Sequence, residues 1–211
     1  MKESNDPDFI ISMMVQHLSS AEVQGAGCFT LATISSDSDA EKRAVAAGGG
    51  IEAVVRAMGA HGSSATLQED GCVLLAILAI LAENEALVAA KGGIEAVVRA
   101  MRANGSRASL QQQGCVALTN IAFSDPRLQA QVRAAGAVPL VEKALTSFPG
   151  DADLQTGGKQ LLGKLVLEPK PRLPHAELYP PEVCCTRACP PLQNLFVLVQ
   201  TPDRKPARCR S

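Results

Sequence analysis

The sequence predicts an all-α chain built from stacked copies of one helical unit, on three observations. The string GGIEAVVRAM stands at positions 49–58 and returns unchanged at 92–101, 43 residues later. A second marker keeps nearly the same step: Gly27-Cys28, Gly71-Cys72 and Gly114-Cys115, then Gly157-Gly158, at spacings of 44, 43 and 43. Inside each copy, apolar residues fall at i, i+3, i+4 and i+7, as in Ile51, Val54, Val55 and Met58, the stripe of a helix facing a core. Two markers sharing one period of this size indicate a repeat array.

Each unit reads as three helices. A short Ala-rich segment comes first, such as AEKRAVAAG or ENEALVAAKG, long enough for about two turns. Glycine follows at the sharp turn, then the GGIEAVVRAM helix, in which Ile94, Val97, Val98 and Met101 repeat the earlier stripe and leave Glu95 and Arg99 for solvent. After a break at Asn104-Gly105-Ser106 comes a third helix with the stripe Leu110, Gly114, Val116, Leu118 and Ile121, matched 43 residues earlier by Leu67, Gly71, Val73, Leu75 and Leu78. A diverged copy, AGAVPLVEKAL, begins at Ala135, with Gly136 placed 43 residues after Gly93. This gives three full units, about 36–81, 82–124 and 125–167, after a partial one at 8–35 that lacks its first helix. The solenoid is expected over 1–168, followed by an irregular tail over 169–211.

Composition agrees with close helix packing. Five Phe, one Tyr and no Trp leave Ala, Val, Leu and Ile to carry the apolar content. The formal net charge of −1 gives the whole chain no bulk attraction to nucleic acid or acidic membranes. No apolar run approaches the ~20 residues of a membrane span, and the polar start MKESNDPDF does not read as a secretory signal. The seven cysteines are odd in number, and those in the repeats follow the period, as reduced thiols of a cytoplasmic or nuclear protein would.

Catalysis needs a nucleophile, a base and an orienting group together. His17, His61 and His175 are scattered, and none accompanies a nucleophile motif. The Gly48-Gly49-Gly50 run lacks the preceding strand and following Lys-Ser/Thr of a phosphate loop. Pairs such as Asp37/Asp39 and Glu83/Glu85 fit the positive N-terminal ends of short helices. The expectation is no enzyme, no cofactor, no metal and no small-molecule substrate.

The tail is different material. It holds nine of the thirteen prolines, no glycine, and seven Lys/Arg against three Asp/Glu, which leaves −5 on residues 1–168. It reads as a Pro/Arg-rich extension. Cys185-x3-Cys189, beside Cys184, Cys209 and His175, gives a weak zinc signal without a second paired motif. Nucleic-acid binding is equally weak there, because the basic residues have no interleaved aromatics.

The stretches GCVALTNIA (114–122) and DPRLQAQVRAAGAVPLVEKAL (125–145) resemble the armadillo-repeat family, over about residues 8–167. The resemblance implies an armadillo-type α-solenoid whose third helices line a groove for an extended partner segment. It also implies an Asn that grips the partner's backbone, matched by Asn120, with Thr33, Ile77 and Gly163 at the same phase in the other units. The family's Trp position falls on Phe29, Val73, Val116 and Lys159, so no Trp is available for basic import signals.

The expected role is therefore a scaffold that binds an unidentified protein or extended peptide through Phe29, Thr33, Val73, Ile77, Gln113, Val116 and Asn120. That strip is more apolar than charged, so its binding is expected to weaken little with salt. The alternative starts from the partial first unit, rich in Phe9, Ile10, Ile11, Met13, Met14, Val15 and Leu18. Terminal repeats normally present a polar outer face. An apolar one implies a segment of a larger array, or self-association through that end.

Overall fold

The computed structural model describes residues 6–166, and the expectations for the tail at 169–211, zinc and nucleic-acid binding included, lie outside them. The described residues form eleven helices and no strand. They are α1 (Pro7–Gln16), α2 (Ala21–Asp37), α3 (Asp39–Ala47), α4 (Gly50–Ala60), α5 (Ala65–Leu78) and α6 (Ala82–Ala90). The remainder are α7 (Gly93–Ala103), α8 (Ala108–Ile121), α9 (Pro126–Ala134), α10 (Ala137–Ser147) and α11 (Ala152–Val166). After the pair α1–α2, the chain runs through three helix triplets, and α2, α5, α8 and α11 pack side by side in that order. This all-helical stack is consistent with an α-solenoid.

Local chemistry accounts for the helix starts. Ser38 accepts the Glu41 amide at 3.1 Å and opens α3, with acidic Asp39 and Glu41 in its first turn. Pro126 stands in the first turn of α9, where its missing N–H costs nothing, and the Asp125 side chain accepts the Arg127 amide at 2.8 Å. Between the first and second helices of each triplet the backbone is left-handed at Gly49, Gly92 and Gly136, with φ of 90°, 82° and 83°. Any side chain there would crowd the following carbonyl, so glycine is required at the corner.

These corners correct the register of the last unit. Gly136 is the counterpart of Gly92, not of Gly93, so the final step is 44 residues. The added residue lies between α8 and α9, a connection of four residues (122–125), against three (79–81) between α5 and α6. Gly158, not Gly157, then matches Gly114. A Cβ on Gly158 would meet Leu145 Cδ2 at 2.7 Å, as one on Gly114 would meet Met101 Cγ at 2.5 Å, whereas Gly157 has nothing within 4 Å. The counterpart of Asn120 becomes Lys164 in place of Gly163, and that of Val116 becomes Gln160 in place of Lys159.

The core runs along the third helices and under the second ones. Leu31, Leu75 and Leu118 are fully buried, as are Cys28, Cys72 and Cys115. Of the residues placed in the core stripe by sequence, Val73 is only half-buried at the edge of the core and Val116 is exposed. Leu74 and Ala117 take the buried positions instead. Removing the Leu118 side chain beyond Cβ would cost about 2–5 kcal/mol, the usual range for a packed leucine.

A glutamine recurs at the start of every third helix, at 24, 68, 111 and 155. Gln68 Nε2 donates to the carbonyls of Met58 at 2.8 Å and His61 at 3.1 Å, closing the last turn of α4. Gln24, Gln111 and Gln155 bond the corresponding carbonyls of α1, α7 and α10. A helix C-terminus leaves carbonyls without partners, and this side chain satisfies two of them at each unit.

Candidate interaction site

Four of the seven residues expected on the binding strip come together. Phe29 and Thr33 on α2, with Val73 and Ile77 on α5, bound a hollow of about 150 Å³ that also touches Ala32, Ser36 and Asp70. Residues four apart lie on one helix face, and the packing of α2 on α5 sets the two pairs side by side. Phe29 is 64% exposed, a large cost to leave in water unless something covers it. A second hollow, of about 410 Å³, continues past Phe29 and Asp70 along Glu22, Gly25, Ser64 and Thr66.

The remaining three stand one helix further on. On α8, Val116 is 36% exposed, while Gln113 and Asn120 are half-buried. Asn120 differs from the expected free groove residue. Its Nδ2 donates to the Ala76 carbonyl of α5 at 2.9 Å, so one of its two N–H groups is used inside the protein and ties two units together. The second N–H and the side-chain oxygen are what it has left for a partner.

The sequence reading missed three features. Asp70 occupies on α5 the position that Gln113 holds on α8, 43 residues later, and it lies between the two hollows. Burial raises its carboxyl above the usual range, and the charge of neighbouring Glu69 adds to the effect. At the other end, Lys164 on α11 lies over the Phe123 ring, 3.8 Å from its centroid, and donates to the Phe123 carbonyl at 3.4 Å. Ile80 and Phe123, both exposed and 43 residues apart, stand at equivalent positions just past the ends of α5 and α8. The constant step was the signal for that pair; Asp70 gave none, being one acidic residue in the run Gln68-Glu69-Asp70.

The N-terminal pair carries its own exposed surface. Phe9, at 50% exposure, joins Met13, Val23, Ala26 and Thr30 around a hollow of about 220 Å³. No helix among the described residues is long and apolar enough to cross a membrane.

No family model matches the sequence, and no curated protein matches it. Among solved structures the chain is similar to an engineered protein from the Northeast Structural Genomics Consortium. They are 24% identical, with a TM-score of 0.65, over 76% of this chain and 62% of that one. A second engineered protein of that consortium is 20% identical, with a TM-score of 0.49, over 75% of this chain and 80% of that one. This chain spans less than two thirds of the first engineered protein, and that likeness shows a shared helical fold alone.

Proposed function

We propose that this chain is a protein-binding scaffold, an armadillo-type α-solenoid whose third helices receive an extended partner segment. The observation that carries the reading is the hollow between α2 and α5, where exposed Phe29 stands with Thr33, Val73 and Ile77 from the next unit. Short first helices, left-handed glycine corners and third helices stacked in order support the armadillo type. The reading assigns the chain no catalysis and no cofactor. Buried free thiols at Cys28, Cys72 and Cys115 fit a reducing compartment, the cytoplasm or nucleus.

A displayed library of random octapeptides tests this. Ligands selected on the wild-type chain should bind Val73→Asp at least tenfold more weakly, because the substitution puts an unpaired charge on the strip. Val73 is half-buried and outside the fully buried core, so helical content should survive.

A second reading rests on the N-terminal hollow and the exposure of Phe9, which suit self-association or stacking on a further repeat. Sedimentation separates the two. A concentration-dependent dimer abolished by Phe9→Asp, with peptide binding absent, favours the second over the groove.

A further inference from the structure

We infer that the hollow between α2 and α5 is an arginine pocket, which takes one guanidinium of the bound segment between the Phe29 ring and the Asp70 carboxylate. The inference rests on the proposed groove and names the side chain that anchors there. Three independent features of the pocket lead to it.

The first is what its polar groups can still do. Thr33 Oγ1 donates to the Phe29 carbonyl at 2.9 Å, and Ser36 Oγ donates to the Ala32 carbonyl at 2.9 Å. Each hydroxyl has one proton, so both donors are used and only lone pairs remain. The ionised Asp70 carboxylate is also acceptor-only. Polar groups left only with lone pairs favour a ligand rich in donors. With an ionised carboxylate among them, a cationic donor, guanidinium or ammonium, fits best.

The second is unmatched charge. The ion pairs among the described residues join Lys42 to Asp39, Arg43 to Glu83 and Lys91 to Glu52, and none reaches Asp70. Glu69 accepts the Ser109 hydroxyl at 2.9 Å across to α8, so it is already engaged. Among the described residues no donor reaches Asp70, and Glu22 lies along the adjoining hollow with no cation among the described ion pairs. Burial already disfavours the Asp70 charge, and a cation from outside relieves it.

The third is the exposed ring. Phe29 lines both hollows together with Asp70, and most of its side chain is exposed. A planar guanidinium stacks on an aromatic face and keeps its N–H groups at the edge for a carboxylate, which a compact ammonium does less well. The molecule makes the related contact itself at the far end of the strip, where Lys164 covers Phe123.

The random octapeptide library also tests this, selected in parallel on the wild-type chain and on Asp70→Asn and Phe29→Ala. Asp70→Asn is nearly isosteric and Phe29 is largely outside the core, so each variant's thermal melt should show a folded protein. The expected result is arginine enriched at one ligand position on the wild type and not enriched on either variant. Replacing that arginine by citrulline, its neutral isostere, should weaken binding about tenfold on the wild type and less than about twofold on Asp70→Asn. The wild-type affinity should also fall as salt is raised, in contrast to the apolar strip expected from sequence. Ligands recovered without arginine, still lost on Val73→Asp, would overturn the pocket and leave the groove standing. Recovery of no ligand would overturn both.

Discussion

Asn120 on α8 and Ala76 on α5, 44 residues apart in sequence, are joined by a hydrogen bond of 2.9 Å from side-chain amide to backbone carbonyl. The carbonyl lies in the last turn of α5, where the Ile80 amide turns to Ile77 instead, so the Asn supplies a donor across the unit boundary to a carbonyl the helix leaves without one. Asn120→Ala should therefore lower stability by about 1 kcal/mol, the net worth of a partly buried hydrogen bond. Urea denaturation checks this. An unchanged midpoint would mean that the amide is free for a partner after all.

The glutamine caps should matter more. Gln111 Nε2 serves the carbonyls of Met101 at 2.9 Å and Asn104 at 3.1 Å from a buried site. Gln111→Ala leaves those acceptors without their donor in a place water does not readily reach, at a cost of about 1–3 kcal/mol. Gln111→Glu should be worse than Ala at neutral pH, since a carboxylate offers no donor and faces two carbonyls. The order of the denaturation midpoints, wild type above Ala above Glu, is the measurement.

Adjacent glycines in α11 should respond in opposite directions. Gly157→Ala meets nothing within 4 Å and gains helix propensity, so it should stabilise by about 0.5–1 kcal/mol. Gly158→Ala drives a methyl against Leu145 and should destabilise by about 1–3 kcal/mol. Reversed signs would restore the 43-residue register for the last unit.

Cys28, Cys72 and Cys115 should be silent toward alkylation in the folded state. Burial pushes each thiol up to about 12, with nearby Asp70 adding to the effect at Cys28 and Glu69 at Cys72. Iodoacetamide at pH 8 followed by peptide mapping should leave all three unmodified until denaturant is added. Rapid native labelling of any one would show that its helix opens.

Asp70 gives a pH signature. Its pKa is raised in the folded protein, so its contribution favours folding most below its unfolded pKa and is lost as pH rises through the folded one. Glu69 on the same helix and Glu22 across the groove face the same region, and neither supplies a compensating cation. Asp70→Asn removes the penalty, so the unliganded variant should melt at or above the wild type at pH 7. The advantage should shrink on titration toward pH 3. A variant less stable at pH 7 would mean that the carboxylate has an internal partner.

The helices were legible because a repeated string announces its own period, and apolar spacing inside the string sets the helix phase. Ile94, Val97, Val98 and Met101 are all buried, while Glu95 and Arg99 are exposed, as the spacing required. One added residue between α8 and α9 escaped detection, because Gly157-Gly158 and Gly136 each satisfy a 43-residue step by coincidence of adjacent small residues. The left-handed corner, the steric contact of Gly158 and the 44-residue step from Gln111 to Gln155 separate the two registers. The strip was half legible. Phe29, Thr33, Val73 and Ile77 came from the family resemblance carried along the repeat phase, but Asp70 looks like any solvated helix residue until the hydroxyls around it are seen to be spent. Asn120 matched a family position, yet its partner lies 44 residues away and sequence carries no mark of that bond.

For a segment bound along the third helices as proposed, Lys164 limits the length. By covering Phe123, it takes up the boundary between α8 and α11, so among the described residues the proposed groove is left with the boundaries α2–α5 and α5–α8. Neighbouring helices pack about 8–10 Å apart, so two steps measure roughly 20 Å. An extended chain advances about 3.3 Å per residue, which makes the footprint about six residues. So short a footprint has no long sequence over which to spread its selectivity. Competing ligands would be sorted by one anchor side chain, with the remaining positions tolerant of substitution.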